Sequence, residues 1–97
     1  MRLKGRNAII TGGGAGIGEA IVKAFATEGA SIVIADLTLD AAESVATDLC
    51  GDGHKVHAVE CDVSDSKSVE AMVEKAIKHL GAVDTLVNDA GWGRAGK

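Results

Sequence analysis

The sequence predicts an α/β fold: a doubly wound parallel sheet, truncated to about four strands in the order 3-2-1-4, with three helices. Three observations predict it. Short apolar runs alternate with longer stretches of helical periodicity, and this alternation implies parallel strands joined by right-handed crossovers. The run Ser31-Ile32-Val33-Ile34-Ala35-Asp36 is almost continuously apolar, as a strand covered on both faces should be. The run Ala8-Ile9-Ile10 leads straight into the glycine-rich turn Thr11-Gly12-Gly13-Gly14-Ala15-Gly16-Ile17-Gly18 and then into a helical pattern. In such a sheet strands one and four adjoin where the order reverses, and ligands bind in the crevice at the carboxyl ends of the strands.

Each element has its own signal. Residues 7–11 read as strand one. Gly16 to Glu28 read as helix one, with Ile17, Ala20, Ile21, Ala24 and Phe25 at i, i+3, i+4, i+7 and i+8, stopped by Gly29. Ser31 to Asp36 form strand two. Thr38 is placed to cap helix two, whose inner stripe is Ala42, Val45, Ala46 and Leu49, and Gly51-Asp52-Gly53 is a turn. Lys55 to Glu60 alternate and read as strand three, near a sheet edge. Asp65 caps helix three, whose stripe runs Val69, Met72, Val73, Ala76, Ile77 and Leu80 and stops at Gly81. Thr85-Leu86-Val87-Asn88 is a short fourth strand, and the glycine-rich tail 91–97 reads as irregular.

Composition narrows the function classes. The 97 residues carry a formal charge of −4, with no proline. This length supports one small core, exposing roughly 5,200 Å² when folded. No basic patch favours nucleic acid, and no apolar run is long enough to cross a membrane. The start, Met1-Arg2-Leu3-Lys4-Gly5, is followed by a strand and not by a signal-peptide core, so the expectation is a cytoplasmic protein. Cys50 and Cys61 form no Cys-x-x-Cys pair and read as reduced, partly buried thiols. His54, His57 and His79 are scattered over a turn, a strand and a helix end and show no metal spacing, so no metal is expected.

The glycine turn carries the chemistry. Glycines let a backbone approach an anion, and the helix start offers unpaired N–H groups at a positive dipole end. The ATP/GTP loop is rejected: in the nearest register, Gly13 to Gly18, Glu19 stands where a lysine is needed. The strict Gly-x-Gly-x-x-Gly fingerprint finds no register either. What fits is Thr-Gly-x3-Gly-x-Gly, through Gly12, Gly16 and Gly18. Asp36 ends strand two, eighteen residues after Gly18, near the spacing at which an acid accepts hydrogen bonds from an adenosine ribose. A carboxylate there also repels a 2′-phosphate, by roughly 1 kcal/mol in water and roughly 4 at an effective dielectric of 20 for charges about 4 Å apart. Ala15 and Leu37, where a phosphate-binding base could stand, are neutral, which favours NAD over NADP. The competing reading of Asp36 is a helix-capping or loop acid.

With that spacing, the chain resembles the short-chain dehydrogenase/reductase family, and the resemblance runs from Leu3 to Gly91. It implies a Rossmann-type fold in which residues 1–97 form a single partial dinucleotide-binding domain with the C-terminal catalytic half absent. It implies that Gly12, Gly14, Gly16, Ile17, Gly18, Asp36 and Leu37 bind NAD. Asp62 and Val63, after strand three, match the family's pair that holds the adenine ring. Asn88, Ala90 and Gly91 match the family's Asn-Asn-Ala-Gly after strand four, which ties the central strands together and contacts the ribose and phosphates. Asp89 departs from that motif, adding negative charge and losing amide donors. Thr11 is implied to be a scaffold residue, bonding near the fourth-strand motif.

The family's chemistry uses a tyrosine, a lysine four residues later, a serine and an asparagine in a later helix. The chain has no tyrosine, and Asn88 belongs to the strand-four motif, so no residue is assigned as catalytic. The expectation is the NAD(H)-binding portion of an oxidoreductase whose parent reaction is hydride transfer between NAD and a secondary alcohol or ketone; a small-molecule substrate belongs only to a full-length parent. A non-catalytic dinucleotide-binding module and an inactive truncated fragment stay open beside it. Strand four, 84–88, would be an open apolar edge, so self-association as a homo-oligomer is expected through it. Trp92 either faces the nicotinamide side or covers the loop.

Overall fold

Seven elements follow one another in strict alternation: β1 (Asn7–Thr11), α1 (Gly16–Thr27), β2 (Ser31–Asp36), α2 (Leu39–Gly51), β3 (Val56–Glu60), α3 (Ser66–Leu80) and β4 (Thr85–Asn88). They are taken from a computed structural model, which describes residues 4–12, 14 and 16–88. The four strands form one sheet in the order β3-β2-β1-β4, and every pairing is parallel. The predicted order and class are the observed ones.

Period-two alternation along the strands splits the core into two layers. On one face Ile10, Ile32, Ile34 and Val56 pack with Val22 and Ala26 of α1 and with Ala42, Val45, Ala46 and Leu49 of α2. On the other, Ile9, Val33, Ala35 and Val59 pack under Met72, Ala76 and Leu80 of α3. Both faces of β1 and β2 are therefore covered, and Ala8, Ile10 and Ile32 to Ala35 have no exposed surface.

Several local expectations are corrected. Helix α1 ends at Thr27, not Glu28, and its buried residues are Gly18, Val22 and Ala26. The predicted stripe is thus turned by about one residue: Ile21 and Phe25 are partly buried, whereas Ile17 is 72% exposed and Ala20 and Ala24 face solvent. Gly18 is buried together with Val22 and Ala26, so the seam follows 18, 22 and 26. Thr38 occupies the N-cap of α2 but its side chain makes no capping hydrogen bond. Helix α2 runs through Gly51, and β3 starts at Val56 rather than Lys55. Ile77 is 45% exposed, because one helix over a four-stranded face buries a narrower stripe than the apolar pattern spans. Cys61 is buried and Cys50 is exposed, so the two thiols do not share the partly buried setting expected of them. His57 and His79 are not independent either: their rings stack with centroids 4.1 Å apart.

The cap on α3 is as predicted: the Asp65 carboxylate accepts from the Lys67 N–H at 3.0 Å. The amino end of β1 is tied to the α3–β4 connection. The Asp84 carboxylate accepts from the Asn7 N–H at 3.1 Å, and the Asn7 amide donates to the Leu80 carbonyl at 3.3 Å.

Candidate functional site

The sheet register gathers the candidate residues at one edge. Thr11 lies opposite Ala35 and Asn88, and Asp36 opposite Glu60, so β1, β2, β3 and β4 reach their carboxyl ends together. Past those ends the ladder continues by one bond on each side of β2: the Gly12 N–H donates to the Ala35 carbonyl at 2.7 Å, and the Cys61 N–H to the Asp36 carbonyl at 3.0 Å.

Asp36 organises the crevice. One carboxylate oxygen accepts from the Gly14 N–H at 2.9 Å, and the other accepts from the Thr38 N–H at 2.9 Å. Its two sequence readings, loop acid and ligand acid, are thus not exclusive. A carboxylate offers about four acceptor positions, and these two bonds leave capacity on both oxygens. Gly14 is buried, and a Cβ there would lie 2.7 Å from that Asp36 oxygen and 3.0 Å from both the Ala41 Cβ and the Ala42 N. The glycine requirement at 14 is therefore one of space.

At Gly12 and Gly16 the requirement is conformational, with φ of 73° and 61°, where L side chains are strained. Of the glycines implied to bind NAD, Gly12 and Gly14 spend their amides within the fold, on the Ala35 carbonyl and the Asp36 carboxylate. Among the described residues, the amides at Gly16, Ile17 and Gly18, in the first turn of α1, have no intrahelical acceptor and can face an anion. Ile17 and Leu37 are 72% and 62% exposed.

After β3, Asp62 is held by serines that the motif reading passed over. Its carboxylate accepts from the Ser64 N–H at 3.0 Å and the Ser64 hydroxyl at 2.6 Å, and its own N–H donates to the Ser68 Oγ at 2.9 Å. The Asp-x-Ser spacing of a side-chain turn was the available signal. Val63 packs against the α3-side core and helps line an apolar cavity of about 360 Å³ with Ile9, Thr11, Met72 and Leu86. Burial pushes the neighbouring Cys61 thiol up from its ordinary value. The Thr11 hydroxyl donates to the Val87 carbonyl at 3.3 Å, pinning β4 beside the turn as expected. Asn88 pairs with Thr11 through the backbone. Gly13, Ala15, Asp89, Ala90, Gly91 and Trp92 lie outside the described residues, and with them the fourth-strand motif beyond Asn88. Among the described residues there is no cluster of three or more metal-ligating side chains.

Residues 6–97 match the family model for short chain dehydrogenase. The chain belongs to the short-chain dehydrogenase family. It is 46% identical over 93 residues to a 7alpha-hydroxysteroid dehydrogenase of Escherichia coli (strain K12), a match that covers 96% of this chain and 36% of that protein. A solved structure of a 7alpha-hydroxysteroid dehydrogenase complexed with NADH and 7-oxo glycochenodeoxycholic acid superposes with a TM-score of 0.88 at 46% identity, over 90% of this chain and 34% of that one. A short-chain dehydrogenase/reductase from Burkholderia phymatum in complex with NAD gives 0.84 at 32% identity, over 89% and 31%. The chain thus spans about a third of the length of these family members.

Proposed function

We propose that this chain is the NAD(H)-binding portion of a short-chain oxidoreductase whose parent reaction moves a hydride between NAD and a secondary alcohol or ketone. The observation that carries the reading is the Asp36 carboxylate, half-buried at the crevice and oriented by the Gly14 and Thr38 N–H groups. Two relatives of the same fold are solved with NADH or NAD, which supports the same cofactor here.

The residues present fit that cofactor. The first-turn amides of Gly16, Ile17 and Gly18 would take the pyrophosphate, and the free acceptor positions of Asp36 the ribose hydroxyls. Leu37 and Val63 would flank the adenine, with Asp62 at its amino group. Asn88, Ala90 and Gly91 would contact the ribose and phosphates, as their motif in the family does. Gly12 and Gly14 serve by letting the turn close on Ala35 and Asp36. The cofactor supplies hydride chemistry; this chain's residues bind and orient it. No tyrosine occurs in the chain, so it supplies no family-type proton donor, and alone it is inactive.

Residues 1–97 then act as one cofactor-binding unit of a larger protein, in keeping with the third of its relatives' length that it spans. No helix among the described residues is long and apolar enough to cross a membrane, and we assign the protein to the cytoplasm, without nucleic-acid partners. Strand β4 stands at the end of the sheet order with Leu86 64% exposed, which supports self-association along 84–88.

Fluorescence titration with NADH and NADPH tests the cofactor reading, with Asp36→Ala beside the native chain. NADH should bind at least about fivefold more tightly than NADPH, the lower end of the charge repulsion, and Asp36→Ala should narrow the ratio. Equal binding of the two by the native chain, or an unchanged ratio in the variant, overturns the role of Asp36.

A further inference from the structure

Away from the crevice, at the opposite edge of the sheet, two imidazoles meet. His57 is on β3, an outermost strand, and His79 is in the last turn of α3. Their rings are 4.1 Å apart between centroids and inclined by only 14°. Neither takes part in the cofactor site.

The stack adds to the anchors of the end of α3, where Ala76 and Leu80 are buried and the Leu80 carbonyl accepts from the Asn7 amide at 3.3 Å. His57 is half-buried and lies opposite Val33, whose side chain belongs to the layer under α3. His79 is exposed, yet it lies between Ala76 and Leu80, which are buried in that layer. The ring contact therefore joins the last turn of the helix to the outer strand.

Charge decides whether this contact is favourable. Two neutral imidazoles stack as aromatic rings do. Two imidazolium ions in the same positions repel. Near His57 are His79 from α3 and Lys55 just before its own strand; Glu43 of α2 lines the same surface cavity, and β2 presents the uncharged Val33. Lys78 adds a further positive charge in the last turn of α3. Burial, His79 and Lys55, in that order, hold the His57 ring below its ordinary value.

We propose that the His57–His79 stack is a proton-operated latch, holding the last turn of α3 on strand β3 when both rings are neutral and releasing it when both are charged. The sign follows from linkage. In the unfolded chain His57 takes up its proton near 6.5, earlier on acidification than in the fold. Its contribution to stability is complete above that value and is lost as the pH falls from it through the lower folded one. The opening is local: it frees the helix end at the amino edge of β4, while the Asp65 cap holds the other end.

Amide hydrogen exchange on the full chain, read as protection factors so that the chemical rate is divided out, tests this. Protection of residues 76–80 should fall between pH 7.5 and pH 5, in the direction linkage requires. His79→Gln, an exposed position, should remove most of that dependence. By NMR titration of the ring protons, His57 should titrate at higher pH in His79→Gln than in the native chain. Protection that does not change with pH, an equal pH dependence in the variant, or an unmoved His57 titration each overturns the latch.

Discussion

The backbone N–H of Gly14 donates to the Asp36 carboxylate at 2.9 Å, across 22 residues of sequence. This bond joins the glycine turn to the carboxylate proposed to bind the ribose, so a change at either end disturbs both. A methyl group at position 14 would lie 2.7 Å from the same oxygen. Gly14→Ala should cost about 1–3 kcal/mol of stability, the usual range for overpacking, and should weaken NADH binding in the same variant. Urea denaturation and a binding titration check the two effects separately.

Truncating the carboxylate has a structural cost as well as a cofactor one. Asp36→Ala removes the acceptor of both the Gly14 and Thr38 N–H groups. A loss on the order of 1–3 kcal/mol is expected, as for hydrogen bonds to a charged group. Asp36→Asn keeps one carbonyl acceptor and should lose less. Denaturation midpoints of the two variants rank them.

The two helix caps separate a residue's position from its bond. Asp65→Ala removes a made bond to the Lys67 N–H and should cost about 1 kcal/mol. Thr38→Ala removes a side chain that makes no capping bond and should fall within about 0.5 kcal/mol of the native chain. Thermal melts of the pair decide it, and an equal loss would contradict the difference between the caps.

Acid should loosen the joint between β1 and β4. Asp84 is held below its ordinary value first by the Thr85 hydroxyl, then by the Asn7 N–H and the Arg6 charge. Its contribution is therefore present above the unfolded value of 3.8 and is lost as the pH falls through the lower folded one. Asp84→Asn should flatten the acid limb of the stability–pH curve below about pH 4 and leave neutral pH less affected. Circular dichroism across an acid titration measures it.

The open edge makes a prediction about assembly. Leu86 is 64% exposed on β4, and an unpaired apolar edge invites another strand. Size-exclusion chromatography of this chain should show concentration-dependent dimers or larger species, and Leu86→Lys should shift them toward monomer. A clean monomer at high concentration for the native chain would contradict the self-association.

The sequence was most legible where one physical demand acted alone. The continuous run 31–36 could only be a doubly covered strand, and the bounds of β1, β2 and β4 follow as expected. The glycine spacing and Asp36 marked the crevice for the same reason. It was less legible where a neighbour chose between options. The buried stripe of α1 runs through Gly18, Val22 and Ala26, and a glycine carries no apolar signal for periodicity to find. The Thr38 N–H turned to Asp36 while the Thr38 side chain made no cap. The amides of Gly12 and Gly14 read as ligand donors until the fold supplied Ala35 and Asp36 as acceptors. The meeting of His57 with His79 depends on packing a helix over a strand, which residue spacing does not encode.

The pairing of β1 with β4 also bears on the order in which the chain assembles. Asn7 and Asp84 are 77 residues apart, whereas Asn7 pairs with Ser31 much earlier in the chain. Closing the longer loop costs about 1 kcal/mol more chain entropy than closing the shorter one. On a ribosome, the first strand therefore has its second-strand neighbour well before the fourth emerges, and one flank of the nascent sheet stays unzipped until nearly ninety residues have been made.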